Sequence, residues 1–169
     1  MDSEFAAPIP VEHPAPVARR ERRRPGENRE RLIIAATAEF ALLGFRAAST
    51  ASIGARAGVP QPHVYANFKS KRELYIASIE RVLELMRGSD LAVSIGWPAT
   101  EESVLSSSGI REGFLLQAVT AAADPEVGQV SCALVAQAQA LLGPEEFSAC
   151  LLAGVRYLLS ESDDGRAFQ

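Results

Sequence analysis

Apolar residues recur along this chain with the spacing of helices. Between residues 27 and 43, apolar side chains share one helical face: Leu32, Ala36, Phe40 and Leu43. Gly44 follows as a natural stop, because glycine readily adopts the left-handed conformation that ends a helix. No segment alternates convincingly between apolar and polar residues with a period of two. The pattern therefore predicts an all-α fold.

Two shorter helices with a tight turn between them are expected next. Ser49 is a good N-cap for a helix that runs to about Ala57, and Gly58 permits the positive φ of a turn. A third helix ends with Phe68, which forms an inward i, i+4 pair with Val64. Two short helices joined in this way suit a rigid wedge that can enter the major groove of DNA.

Later helices are marked by their caps and breaks. Ser70 and Glu73 form a capping box at the start of a fourth helix that reaches roughly Arg87. The signal is weaker over residues 88–110, which are rich in Ser and Gly. Asp124 then supplies an N-cap with a proline at N1. The remaining predicted helices cover about 111–123, 124–142 and 145–160, and Gly143-Pro144 separates the last two.

The charge of the chain is unevenly distributed. Residues 19–72 carry 12 Lys and Arg against 4 Asp and Glu, whereas residues 88–169 carry 3 against 11. This asymmetry favours a polyanionic partner for the basic front half alone. Residues 1–18 are rich in Ala and Pro, lack periodicity and lead into the basic segment Arg19–Arg24. We therefore expect a disordered, basic-ended arm over 1–26, a helix-turn-helix domain over 27–69 and a helical domain over 70–169.

Several classes of protein find no support in the sequence. It has no apolar run long enough to span a membrane and no apolar segment typical of a secretory signal. Its two cysteines, Cys132 and Cys150, are too few for a disulfide framework and fit a reducing cytoplasm. No His, Cys or Asp cluster has metal-ligand spacing, and no Gly-rich phosphate loop is present. We expect a cytoplasmic protein that is not an enzyme and uses no cofactor or metal.

Between residues 40 and 74, residue type and spacing form a specific set: Phe40, Gly44-Phe45, Ser49, Ile53, Ala57-Gly58-Val59, Val64-Tyr65, Phe68, Ser70-Lys71 and Leu74. This set resembles the TetR family of bacterial transcriptional repressors, and the resemblance covers about residues 29–85. Gly54 stands where the family usually has Ala, at a cost of about 1 kcal/mol in helix propensity unless close packing requires glycine. The resemblance implies an N-terminal three-helix DNA-binding domain and a C-terminal helical domain for ligand binding and dimerisation.

Helix geometry and the resemblance together indicate the side chains that would contact DNA. On the third helix, Gln61 can pair with an adenine edge, His63 can bond a base or a phosphate, and Pro62 can contact thymine methyl groups. The family contacts the phosphate backbone at the positions of Tyr65 and Lys71. The candidate DNA-contact residues are Ser49, Thr50, Gln61, Pro62, His63, Tyr65, Asn67 and Lys71.

Each of these assignments has a structural alternative. Gln61 and Asn67 can be ordinary solvated helix residues, and Tyr65 can be a core aromatic with a wet hydroxyl. Lys71 can simply decorate the surface. The Arg19–Arg24 segment can contact the DNA backbone or the minor groove, or it can serve only solubility.

The back half is expected to hold the dimer surface and a ligand pocket. Its last two helices are strongly apolar, so the candidate dimer residues are Ala133, Leu134, Gln137, Leu141, Leu151, Val155 and Leu158. Some of these residues are expected to fill the core of a single chain. If the family pattern carries over, the candidate ligand-binding residues are Met86, Trp97, Phe114, Gln117, Val119 and Gln137. An aromatic residue at helical spacing is, however, more often core than pocket.

The sequence thus predicts a ligand-responsive repressor that binds a palindromic DNA operator as a homodimer and is released by a small hydrophobic effector. The effector would favour a spacing of the two recognition helices that no longer matches half-sites about 34–36 Å apart. One alternative is a thiol-based redox-responsive regulator acting through Cys132 or Cys150, although both lie in apolar stripes that favour buried, inert thiols. Another is a helical protein-interaction module without DNA binding.

Overall fold

The computed structural model describes residues 26–87 and 109–163, and no strand occurs in these two parts of the chain. The N-terminal helices are α1 (Glu27–Ala47), α2 (Thr50–Ala57), α3 (Gln61–Asn67) and α4 (Lys71–Met86). The C-terminal part consists of α5 (Ile110–Thr120), a short 3-10 turn (Ala121–Ala123) and α6 (Gly128–Asp163). The all-α fold predicted from the apolar spacing is confirmed.

Two glycines interrupt the long helices at the predicted positions. Gly44 has a φ of 72° near the end of α1, and Gly143 has a φ of 76° within α6. Pro144 directly follows the second break, where a regular helix would have needed its missing N–H group. α6 is therefore two helical segments that meet at a kink.

Several boundaries differ from the predicted ones, and the last helix ends at Asp163 rather than at about residue 160. α3 ends at Asn67, and the predicted last residue, Phe68, is extended with a φ of −139°. The predicted end of α5 is a 3-10 turn. The regular part of α6 begins at Gly128, because residues 125–127 form a turn. Asp124 still caps this turn, since its Oδ1 accepts bonds from the backbone N–H groups of Glu126 and Val127 at 2.8 and 3.2 Å.

A cluster of aromatic rings joins the N-terminal helices to the C-terminal ones. Tyr75 of α4 packs edge-on against Phe40 of α1 at 5.1 Å and stacks with Phe114 of α5 at 5.4 Å. The hydroxyl of Tyr75 shares a hydrogen bond of 3.1 Å with Ser131 of α6. Burial raises the pKa of Tyr75, so the phenol stays neutral and its hydroxyl remains available for this bond.

α1 and α4 are also joined by a buried ion pair. The guanidinium of Arg81 lies 3.5 Å from both Glu30 of α1 and Glu84 of its own helix. A buried arginine needs such partners, because an unpaired charge in the interior is costly. The guanidinium of Arg81 thus links α4 to α1.

Some sequence predictions fall outside the described residues. They are the disordered arm including Arg19–Arg24, the ligand candidate Trp97 and the final residues 164–169. Among the described helices, none is long and apolar enough to cross a membrane.

Candidate nucleic-acid interface

α2 is a short helix that is defined at both ends. The Oγ of Ser49 accepts a hydrogen bond from the N–H of Ser52 at 3.0 Å, which makes it the predicted N-cap. Gly58 ends the helix with a φ of 61°, in the left-handed region that favours glycine. Ser49 is therefore a capping residue at the edge of the interface, and a phosphate contact would share this oxygen with the cap.

Gly54 allows α2 and α3 to approach each other closely. A Cβ at this position would lie 3.0 Å from the carbonyl oxygen of Val59 and 3.1 Å from a methyl group of Val64. The N–H of Val59 donates to the carbonyl of Gly54 at 2.9 Å, which closes the turn. The family's usual alanine would crowd this turn, so the propensity cost of glycine is offset by packing.

The side chains of α3 and of Phe68, the residue that follows it, form a buried pair and an exposed set. The side chains of Val64 and Phe68 are 1% and 2% exposed, as the sequence predicts. The exposed side chains of α3 are Gln61, Pro62, His63, Tyr65 and Ala66. Their donors, acceptors and apolar groups match the types that read base edges in the major groove.

Tyr65 and Thr50 form a hydroxyl pair between α3 and α2. Their oxygen atoms lie 3.1 Å apart, and Tyr65 is 54% exposed. The tyrosine is therefore not a core aromatic. Within the pair one hydroxyl donates to the other, and the accepting hydroxyl keeps a rotatable proton that can donate to a phosphate oxygen.

Asn67 already bonds within its own helix. Its side-chain NH2 donates to the carbonyl of His63 at 2.7 Å. Because the amide NH2 group has two protons, this bond leaves one N–H and the amide oxygen of Asn67 for a contact with adenine.

Lys71 is held against the end of α1. Its ammonium donates to the carbonyls of Ala48 at 3.1 Å and Arg46 at 3.4 Å, and it lies 4.5 Å from the ring centre of Phe45. This position differs from that of a lysine that merely decorates the surface. The charge stabilises the end of α1 and lies at the start of α4, next to the predicted phosphate contacts.

Most arginines of the N-terminal helices have partners within the protein. Arg56 pairs with the buried carboxylate of Glu39 at 3.1 Å, and Arg31 donates to the carbonyl of Ala57 at 3.1 Å. Arg46 forms an ion pair with Asp124, and Arg72 donates to the carbonyl of Glu126 at 3.0 Å. These cations still contribute positive potential, but the sequence did not indicate that they hold the fold together.

The ligand candidates do not surround one pocket. Phe114 is 1% exposed and belongs to the aromatic core, whereas Val119 is exposed. Gln117 lines a small cavity beside Gly44, and Gln137 lies in a groove of about 450 Å³ between α4 and α6. Met86 is partly buried and packs against the core. The groove is lined by Ile76, Ile79, Glu80, Leu83, Glu84, Arg87, Val130, Ala133, Leu134 and Gln137.

The dimer candidates divide between the core and the surface. Leu134 is fully buried in the core of its own chain, which leaves no surface of this side chain for a second copy to contact. Leu151 and Leu158 are partly buried. The exposed candidates are Ala133, Gln137, Leu141 and Val155.

Two exposed leucines on α6 were missed. Leu152 and Leu159 are each 62% exposed and lie on the same face as Val155. The signal was available, because residues 152, 155 and 159 are spaced three and four apart. The second segment of α6 is apolar on several sides, however, so the spacing alone could not distinguish the core face from the outer face.

The two cysteines differ in exposure. Cys150 is buried, as expected, and burial together with the nearby Glu112 carboxylate raises the pKa of its thiol. Cys132 is exposed, which corrects the expectation that both thiols are buried. Its position on α6 turns it away from the core despite the apolar residues around it.

Two short helices, a glycine turn and an outward-facing polar set on the second helix define a helix-turn-helix protein. Residues 32–77 match the family model described as "Bacterial regulatory proteins, tetR family", and this range contains all the candidate DNA-contact residues. The helix-turn-helix part of the chain is therefore similar to this family of regulatory proteins.

One relative is the HTH-type transcriptional activator FasR of Mycolicibacterium smegmatis (strain ATCC 700084 / mc(2)155), which is 46% identical over 55 residues. The matched segment is 32% of this chain and 25% of FasR. The chain therefore matches about a quarter of that relative's length.

Proposed function

We propose that this chain is a transcriptional regulator that reads duplex DNA with α3. The observation that carries this proposal is the outward set of α3, in which Gln61, Pro62 and His63 are exposed while Val64 anchors the helix inside. The hydroxyl pair of Thr50 and Tyr65 beside this set supports a contact with the DNA backbone. Base contacts would give specificity, and backbone contacts would set the register.

The regulator binds a palindromic operator as a homodimer. One short helix-turn-helix reads few base pairs, and each lost base contact costs about 1–3 kcal/mol, so two copies together gain both affinity and specificity. The exposed apolar face of α6, which comprises Leu152, Val155 and Leu159, supports a contact with a second copy. Leu141, Ala133 and Gln137 lie on the first segment of α6 and extend this proposed interface.

A small hydrophobic effector releases the regulator from DNA. The groove between α4 and α6 supports this part of the proposal, because apolar side chains line it together with Gln137, two carboxylates and Arg87. α4 leads directly from the helix-turn-helix to this groove. An effector that prefers one position of α4 would shift the population between DNA-binding and released states.

The output is repression in this proposal. FasR is named an activator, so a promoter-reporter assay must decide the sign. Lower reporter expression in the presence of the chain supports repression, and higher expression would identify an activator that binds DNA through the same surface.

Selection of bound sites from random duplex DNA tests the DNA-binding proposal. We expect a palindromic consensus from the unaltered chain. Gln61→Ala should keep the half-site spacing but lose discrimination at one base pair in each half-site, by about 1–3 kcal/mol. Arg111→Gln, on α5 and away from the proposed interface, is the matched control and should select the unaltered consensus. Selection of no consensus would overturn the proposal.

A thiol-based regulator is the second candidate, because Cys132 is exposed. Oxidation of this thiol would then replace the effector as the signal. DNA affinity that falls after mild peroxide treatment, and that does not fall in Cys132→Ser, would favour this candidate. Equal affinity before and after treatment would remove it.

A further inference from the structure

The N-terminal and C-terminal helices contact each other in two physically different ways. The first contact is the aromatic cluster of Phe40, Tyr75 and Phe114, with the hydrogen bond between the hydroxyls of Tyr75 and Ser131 beside it. Apolar contacts of this kind are favourable but weakly directional, so they tolerate a small rotation of one part against the other. The second contact is a group of polar bonds at the turn before α6, and such bonds depend on direction.

The two carboxylate oxygens of Asp124 bond to different parts of the protein, one to the turn before α6 and the other to α1. Oδ1 accepts the N–H groups of Glu126 and Val127, which caps the turn leading into α6. Oδ2 forms an ion pair with the Nε of Arg46, in the last turn of α1. The side chain of Asp124 is only 10% exposed, which limits its freedom to move away from Arg46.

The same turn also holds the start of α4. Arg72 donates from its Nε to the carbonyl oxygen of Glu126 at 3.0 Å. Arg46 and Arg72 lie immediately before and after the segment that contains α2 and α3. Asp124 and Glu126 therefore bond to residues on both sides of the segment that contains α2 and α3.

We propose that Asp124 is a positioning residue that sets the angle between the helix-turn-helix and α6. This inference rests on the proposed function, because it concerns how two copies would present their α3 helices. A small rotation at the base of each wedge displaces both α3 helices, and a dimer accepts only half-sites whose spacing matches them. Asp124 would thus determine which half-site spacing is bound, although it touches no base.

The variants separate the ion pair from the cap. Asp124→Asn keeps a carbonyl oxygen for the N–H groups of Glu126 and Val127 but loses the charge that Arg46 requires. Arg46→Gln removes the same pair from the other side, and Arg46→Lys retains a cation there. Arg111→Gln is the matched control, since Arg111 pairs with its neighbour Glu112 within α5.

Binding to duplexes with altered half-site spacing gives the first measurement. The unaltered chain should prefer one spacing, and Asp124→Asn and Arg46→Gln should lose this preference by about fivefold, near the low end of typical coupling between sites. Affinity for a single half-site should stay within about twofold of the unaltered chain. Arg46→Lys should recover part of the preference, and Arg111→Gln should keep all of it. Unchanged spacing preference in both junction variants overturns the inference while leaving DNA binding established.

A second measurement does not depend on DNA. Spin labels on Ala66→Cys in α3 and Gln139→Cys in α6, both exposed positions, would report the angle between these helices. Each labelled chain also carries Cys132→Ser and Cys150→Ala, so that neither native thiol is labelled. The labelled chain is diluted with unlabelled chain, so that distances are measured within one copy. We expect Asp124→Asn to broaden the distance distribution and Arg111→Gln to leave it unchanged.

Identical distributions in all variants would overturn the role of Asp124, whatever the outcome with DNA. Failure of the unaltered chain to bind any duplex would instead overturn the proposed function.

Discussion

Polar side chains at the candidate DNA surface carry structural bonds in addition to facing outward. Lys71 bonds the carbonyls at the end of α1, Asn67 bonds the carbonyl of His63, and Ser49 caps α2. The neutral hydrogen bonds contribute about 1 kcal/mol net and that of the charged Lys71 about 1.5–3 kcal/mol, so a phosphate or base edge that forms an equivalent bond can replace them. If this surface binds DNA as proposed, the same bonds restrict the side chains beforehand, which would reduce the conformational entropy lost on binding.

Asp124 provides a residue-scale prediction about pH. Its partial burial favours the neutral form, but the bonds from Arg46 and from two backbone N–H groups outweigh this, so the pKa of Asp124 lies below its usual value. A carboxyl group with a lowered pKa contributes stability that is present above its unfolded-state pKa and is lost as the pH falls through its folded-state pKa. Asp124→Asn should therefore be less stable than the unaltered chain at pH 7, and the difference should shrink below about pH 4.

Denaturant unfolding at a series of pH values measures this difference. Ser49→Ala is the control, because it removes a cap without removing a titratable group, so its cost should change little with pH. A difference for Asp124→Asn that is the same at pH 7 and pH 3 would contradict the assigned role of the charge.

Bonds of this kind could not be predicted from the sequence. The partners of Lys71 are backbone carbonyls about 25 residues away, and no residue type in the sequence marks a carbonyl as available. Arg46 and Asp124 lie 78 residues apart. The sequence showed Arg46 only as a cation and Asp124 only as a helix cap. Gln61 and Val64, by contrast, could be assigned to the outward and inward faces, because helical spacing alone fixes their directions.

At the scale of elements, α2 and α3 have only eight and seven residues and depend on their surroundings. Isolated helices of this length are marginal in water. The cap at Ser49, the left-handed Gly58 and the close contact at Gly54 replace the stability that length would give. The two short helices are therefore stabilised by the residues at their ends and by their packing against each other.

Ser49 allows the cap and the proposed DNA contact to be separated. Ser49→Ala should lower the free energy of unfolding by about 1 kcal/mol, because it leaves an N–H group at the start of α2 without its partner. Ser49→Asp should keep most of the stability, since aspartate is a good N-cap, yet it would place a negative charge next to the DNA phosphates. DNA affinity should therefore fall more in Ser49→Asp than in Ser49→Ala, although Ser49→Asp is the more stable variant.

Denaturant unfolding and duplex titration on both variants give the two rankings. Gln139→Asp is a matched control, because it adds the same charge at an exposed position on α6. It should change DNA affinity little. If affinity follows stability across the Ser49 variants, the cap alone explains the residue.

Helix ends could be predicted because their signals are local, while the partners of each helix face could not. Ser49, Ser70 and the two break-forming glycines identify boundaries through their own chemistry. Periodicity, by contrast, shows that a face is apolar but not what covers it. Leu134 and Leu152 lie on the same kinked helix with similar surroundings in the sequence, yet one is fully buried and the other is 62% exposed.

At the scale of the whole molecule, the charge asymmetry has two consequences. The basic N-terminal helices oppose an acidic C-terminal half, which favours a polyanion at one end of the molecule. Part of the same asymmetry joins the two halves, since Arg46 pairs with Asp124 across their junction. The positive charge available to DNA is therefore smaller than the sequence count suggests, which makes the geometry of α3 more decisive for binding.

The exposed face of α6 gives the last prediction. Leu152 and Leu159 are each 62% exposed, and burying such a side chain contributes about 1.5–3 kcal/mol. Leu152→Arg should therefore weaken a dimer by about tenfold or more, because it replaces this gain with a charge that must be desolvated.

Ser160→Arg is the control, with the same charge at an exposed position nearly a quarter-turn from Leu152. Sedimentation over a concentration series measures the dimer, and titration of one-half-site and two-half-site duplexes measures its consequence. Leu152→Arg should bind the single half-site normally and lose the advantage of the second, whereas a variant that remains a dimer would show that this face is covered by something other than a second copy.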